Sequence, residues 1–201
     1  MTSWADWTYP VTQQHLFERY VAQDYWWYLR SEEFRSQLLA PMGEIASRCQ
    51  DACLDVACGE GQLAEFVRVP YYGIELSTDA LRNAQTGPNR KFMAVNAAEF
   101  PFLPPDKLKT FLDRKLGTIV FSNVFTGVVR PEYQIDFLEA YLAFEPKLVI
   151  VCDLENLDQT GLDARLTLQR EIHRTFQNPL TPPREILPEV KLHRKILVYT
   201  P

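Results

Sequence analysis

The 201-residue chain is poor in the residues that mark several functional classes. It has four cysteines and three histidines, and no two cysteines form a C-x-x-C pair. With so few histidines to accompany the cysteines, no metal site is expected. Cys49, Cys53, Cys58 and Cys152 read instead as reduced thiols of a cytosolic protein. Cationic excess is also missing: Lys and Arg number 21 against 26 Asp and Glu, a formal net charge of −5. Nothing in that balance forms an electrostatic footprint for nucleic acid or for an anionic membrane. No apolar run approaches the length of a membrane span. The opening Met1-Thr2-Ser3-Trp4-Ala5-Asp6 lacks the basic and apolar regions of a signal peptide, which leads to a cytoplasmic expectation. Repeats and low-complexity tracts are absent. The length suits one domain with a sizeable core.

The informative stretch is Leu54-Asp55-Val56-Ala57-Cys58-Gly59-Glu60-Gly61. Leu54 and Val56 suit a buried parallel strand. Ala57, Gly59 and Gly61 then expose backbone to a ligand. Gln62 to Val69 reads as a helix. Tyr71 to Glu75 reads as the next strand, with an acid at its C-terminal end placed to accept hydrogen bonds from ribose hydroxyls. By letter, Gly59-x-Gly61-x-x-Ala64 also fits the dinucleotide fingerprint. Asp55 argues against it: a pyrophosphate needs amides without a nearby carboxylate, whereas a cationic ligand suits one.

The rest of the chain follows a βα rhythm. Strands are predicted at 52–56, 71–75, 91–95, 118–123 and 147–153. Helices are predicted at 62–68, 78–85, 108–115, 132–144 and 161–176. Ser77 or Thr78 is placed to cap the second helix, with Asp79 in its first turn. The helix at 161–176 rests on a stripe of Leu162, Leu166, Ile172 and Phe176. Residues 190–199 alternate and then run apolar, as one long strand or a very tight pair. The N-terminal 45 residues are rich in rings, among them Trp4, Trp7, Tyr9, Tyr25, Trp26, Trp27 and Tyr28. They read as helices at 15–28 and 31–39, packed on the sheet or covering its ligand edge.

Three blocks carry a family resemblance: L-D-V-A-C-G-E-G-Q-L-A at 54–64, Y-G-I-E-L-S at 72–77 and V-N-A-A-E-F-P-F at 95–102. Together they resemble the class I SAM-dependent methyltransferases, in particular those acting on small molecules, over roughly residues 20 to 155. Ala57 stands where that family has its first glycine, and Val95-Asn96 where it usually has Gly-Asp. The resemblance implies an α/β, Rossmann-like doubly wound sheet. Its six or seven strands are mostly parallel, with an antiparallel C-terminal strand or pair. It implies an aromatic helical cap at 1–45, a cofactor-binding core at 46–155 and a closing region at 156–201. The implied cofactor is S-adenosylmethionine, with S-adenosylhomocysteine as product. Its contacts fall on Asp55, Ala57, Cys58, Gly59, Gly61, Glu75, Leu76, Asn96, Ala97, Ala98, Asn123 and Val124. Tyr28 and Arg30, in a segment like the family's W-W-F/Y-x-R, would hold the methionine end through a ring face and a carboxylate fork. The implied activity is methyl transfer to a small-molecule acceptor. An NAD(P)-dependent oxidoreductase and a cofactor-binding module without catalysis are the alternatives. Displacement at a sulfonium has no fixed demand for a base; Asp153, Glu155 and His173 are the candidates.

Overall fold

The computed structural model describes residues 3–11, 15, 41–154, 157–177 and 191–201. Five short segments become parallel neighbours: β1 (Cys53–Val56), β2 (Tyr71–Glu75), β3 (Arg90–Ala94), β4 (Thr118–Ser122) and β5 (Leu148–Leu154). Two longer strands, β6 (Thr167–Gln177) and β7 (Lys191–Thr200), complete a seven-stranded sheet of order β3-β2-β1-β4-β5-β7-β6. β1 to β5 pair in parallel, and β7 runs antiparallel to both β5 and β6. Such a sheet is covered on both faces, which is why β1 is buried at every position, Asp55 included.

Alternate residues along each strand feed separate cores. On one face Leu54, Val56, Ile74, Ile119, Phe121, Val149 and Val151 pack with Phe137, Leu138 and Tyr141 of helix α3 (Gln134–Leu142). Rings dominate there: Phe121 lies 5.2 Å from Phe125 and 5.3 Å from Tyr141, centroid to centroid. Helix α2 (Pro105–Phe111) adds Phe111. On the other face Cys53, Tyr71, Val120, Ile150 and Cys152 meet Leu63, Ala64 and Val67, together with Ile45 and Ala46 of the helical segment 41–46. Helix α1 (Thr78–Arg82) opens on Ser77, whose hydroxyl accepts from the Ala80 amide at 3.2 Å, and Asp79 pairs with Arg82.

Three expectations change. Residues 62–68 form only a turn of 3-10 helix, Gln62–Glu65, and the chain is not helical from Phe66 to Pro70. The helix expected at 108–115 begins earlier, at Pro105, where a proline suits the first helical turn, and ends at Phe111. The largest change is at the C-terminus. The stripe at Leu162, Leu166, Ile172 and Phe176 is not helical. A single turn, α4 (Thr160–Asp163), precedes β6, which pairs with β7 along its length. The free edge of β7 offers a row of unpaired amides and carbonyls, and Thr167, Ile172 and Thr175 suit a strand there better than a helix. The sheet therefore has seven strands, and 191–200 is one strand of a long antiparallel pair. The helices expected at 15–28 and 31–39 lie outside the described residues, apart from the single position 15.

Candidate functional site

The C-terminal ends of β1, β2, β3 and β4 converge where an open α/β sheet binds ligands. β1 places Asp55 opposite Gly73 of β2 and Val120 of β4, on the face that carries the second core. Only 3% of Asp55 is exposed. Its Oδ2 accepts from the Tyr71 hydroxyl at 2.6 Å, while Oδ1 is buried with no partner among the described residues. Burial pushes the Asp55 carboxyl up to about 7, with a smaller push from Glu75, and the Tyr71 hydrogen bond opposes the shift.

The loop after β1 turns through left-handed backbone three times, at Ala57 (φ 58°), Gly59 (φ 57°) and Gly61 (φ 76°). Glycine takes that conformation freely. Ala57 takes it against its own Cβ. A Cβ at Gly61 would lie 2.6 Å from the Phe92 ring, and one at Gly73 would lie 2.7 Å from the same ring. The two glycines thus make the slot that Phe92 fills from β3.

Glu75 ends β2 and ties the site together. Its Oε2 accepts from the Gly59 amide at 3.0 Å and its Oε1 from the Ser77 amide at 2.8 Å. Burial raises its carboxyl above the usual range, and these amides pull it back. A carboxylate has about four acceptor positions, so both oxygens keep capacity for a ligand's hydroxyls. Leu76 beside it is half-buried. After β3, the Asn96 carbonyl accepts from the Ala98 amide at 2.8 Å, and its amide group donates to Thr8 Oγ1 at 3.4 Å. Ala97 and Ala98 are buried, and the Ala97 carbonyl accepts from the Tyr141 hydroxyl at 2.7 Å. Cys58 is buried beside Gly73, and burial pushes its thiol well up, as expected of a small packing residue.

Beyond β4, Asn123 is exposed and left-handed (φ 57°), while Val124 and Phe125 turn into the core. Fully buried Asp153 holds this loop: it accepts from the Phe125 amide at 3.0 Å, the Thr126 amide at 3.3 Å and the Thr126 hydroxyl. Two backbone amides and a hydroxyl of one loop occupy both its oxygens, which suits a structural role better than that of a base. His173, a candidate base only if a helix at 161–176 covers the pocket, stands instead on edge strand β6, with its side chain 55% exposed and 3.2 Å from Glu171. Glu155, Tyr28 and Arg30 lie outside the described residues.

Several site residues carry no sequence signal. Tyr71 reads as an ordinary strand ring, and its bond to Asp55 exists only once β1 and β2 pair. Phe92 is likewise recognisable only beside its two glycines. The N-terminal segment crosses the same edge: Thr8 bridges to Val129, the Tyr9 amide donates to the Val128 carbonyl at 3.1 Å, and Trp7 packs edge-on against Phe102 at 5.6 Å. Among the described residues no group of three or more His, Cys, Asp or Glu side chains is arranged to hold a metal ion.

The residues present fit S-adenosylmethionine on one observation. A buried acceptor, Asp55 Oδ1, has no donor among the described residues beside a loop of small residues, and an ammonium group would satisfy it. No family model matches the chain, and no curated protein matches it. Solved structures do. A SAM-dependent methyltransferase from Anabaena variabilis is similar over 81% of this chain and 83% of its own, with a TM-score of 0.58 at 12% identity. The plantazolicin methyltransferase BpumL, in complex with SAH, matches over 92% and 94%, with a TM-score of 0.53 at 14% identity. TehB from Haemophilus influenzae matches over 81% of this chain and 60% of its own, with a TM-score of 0.57 at 9% identity.

Proposed function

We propose, from the fold this chain has in common with class I SAM-dependent methyltransferases, that it transfers a methyl group from S-adenosylmethionine to a small-molecule acceptor. The observation that carries the proposal is the buried, half-satisfied Asp55 carboxylate beneath the left-handed loop, with Glu75 at the neighbouring strand end. Asp55 Oδ1 accepts from the ammonium of the methionine moiety. Glu75 accepts from the ribose hydroxyls, and Leu76 with Asn96 to Ala98 borders the adenine. When bound, the cofactor supplies an electrophilic methyl group on a sulfonium. The chain's task is then to hold the acceptor in line and keep water out, which is worth several kcal/mol through proximity alone. The loop 123–126, fastened by Asp153, forms the rim nearest the acceptor.

A dinucleotide reading has less support. A second mononucleotide half needs further parallel strands beyond β5, and here β7 is antiparallel at that position.

Thermal unfolding with added ligand tests the proposal. At a hundredfold excess over Kd, SAM or SAH should add about 2.7 kcal/mol, or roughly 5–10 °C in Tm. Asp55→Ala and Glu75→Ala should each lose most of that increment. A shift with NADH and none with SAM would overturn the proposal, and an undiminished SAM shift in both variants would overturn the site.

A further inference from the structure

Cys49 and Cys53 lie apart from the cofactor edge, and nothing in methyl transfer uses them. Cys53 opens β1, fully buried, its amide held by the Pro70 carbonyl at 2.8 Å. Cys49 follows the helical segment 41–46, half-buried, with its thiol on the Ile45 carbonyl at 3.4 Å. The two sulfurs are 3.6 Å apart. One partner is anchored in the sheet and the other is within reach of solvent, an arrangement that separates an attacked thiol from a resolving one. Cys58 and Cys152 are both buried, so neither offers solvent a comparable thiol.

We propose that Cys49 and Cys53 form a reversible oxidation site, closing to an intramolecular disulfide when the protein meets a hydroperoxide. The steps balance without a bound cofactor. The Cys49 thiolate attacks one peroxide oxygen; the S–O bond forms, the O–O bond breaks and hydroxide leaves, giving a sulfenic acid. The Cys53 sulfur then attacks the Cys49 sulfur. The S–S bond forms, the S–O bond breaks, and the departing hydroxide takes the Cys53 proton as water. Peroxide is reduced by two electrons and the dithiol is oxidised by two. A disulfide needs the sulfurs about 2.05 Å apart, so the pair must draw together by roughly 1.5 Å. Cys49 follows the turn at 47–48, outside any helix or strand, and can supply that movement; Cys53, held in β1, cannot. Closure would pin the end of segment 41–46 to the foot of the strand that carries Asp55.

Reduced protein treated with hydrogen peroxide, quenched and alkylated under denaturing conditions, tests this by mass. The expected product has lost about 2 Da, takes up alkyl groups at Cys58 and Cys152 only, and returns to four alkylatable thiols with dithiothreitol. Proteolytic cleavage before Asp51 should leave the Cys49 and Cys53 fragments linked until reduction. Cys49→Ser should abolish the product. Cys53→Ala should divert it to sulfenic and sulfinic acid on Cys49, showing that Cys49 is attacked first. Peroxide leaving all four thiols alkylatable would overturn the proposal. So would sulfinic acid on Cys49 of the unsubstituted protein with Cys53 still alkylated, or a bridge only between two chains. None of these outcomes depends on SAM binding.

Discussion

Asp55 combines burial, an oxygen with no partner among the described residues and a carboxyl raised to about 7, so SAM binding at the proposed site should depend on pH. Only its ionised form attracts an ammonium. A protein binding through a fraction of its population loses affinity by that fraction. SAM affinity measured by calorimetry should therefore rise by on the order of tenfold between pH 6 and 7.5. In Asp55→Asn it should be weak and flat over that range. Stability of the free protein moves the other way. A raised carboxyl means the folded chain holds a proton that the unfolded chain gives up near pH 4, so this contribution falls as pH rises from about 4 to 7. Asp55→Asn should accordingly stabilise the ligand-free protein more at pH 8 than at pH 5 in urea titrations. Ala57 is a second site where one atom matters. It holds φ 58° with a Cβ that costs about 1 kcal/mol there. Ala57→Gly should raise Tm by about 2–4 °C, less whatever the glycine adds to unfolded-state freedom.

At the scale of elements, the loop after β4 and the strand β6 separate fold from chemistry. Asp153 binds two amides and a hydroxyl of residues 125–126 from the end of β5. Asp153→Ala leaves the buried Phe125 amide without its acceptor and frees the part-buried Thr126 donors, and should cost about 1–3 kcal/mol of stability, visible as a lowered urea midpoint with unchanged slope. A pure base would lose turnover without that loss. His173→Ala on exposed β6 should stay within about 0.5 kcal/mol of the parent and keep the full SAM-induced Tm increment. These elements also mark the boundary of what local pattern reveals. Leu54, Val56 and the residues to Gly61 identify β1 and its loop because strand and turn are each written in adjacent residues. Leu162, Leu166 and Ile172 fit a helical period equally well, and only the open edge of β7 turns Thr167–Gln177 into a strand. Lys195 shows the same dependence: it is buried on β7 and donates to the Leu157 carbonyl and Gln159 Oε1, both at 2.9 Å, which fastens the chain beyond β5.

At the scale of the molecule, one sheet separates two cores and brings four strand ends to a common edge. No helix among the described residues is long and apolar enough to cross a membrane. The formal net charge of −5 disfavours a phosphate backbone as partner. A fluorescent RNA or DNA oligonucleotide should show no saturable binding at about 0.15 M salt, where the Debye length is about 8 Å. Saturable, salt-sensitive binding would redirect the search for an acceptor away from small molecules.

By itself the sequence determined the positions of Asp55 and Glu75 at two strand ends, the small-residue loop between them and the parallel core, since each is encoded within a few consecutive residues. Tertiary structure alone decided that Tyr71 holds Asp55, that Phe92 fills the slot of Gly61 and Gly73, that Asp153 is committed to a loop, and that residues 167–177 form a strand. The reason is that each of these depends on partners distant in the chain, which no local period can display and only strand pairing brings within hydrogen-bond or van der Waals reach.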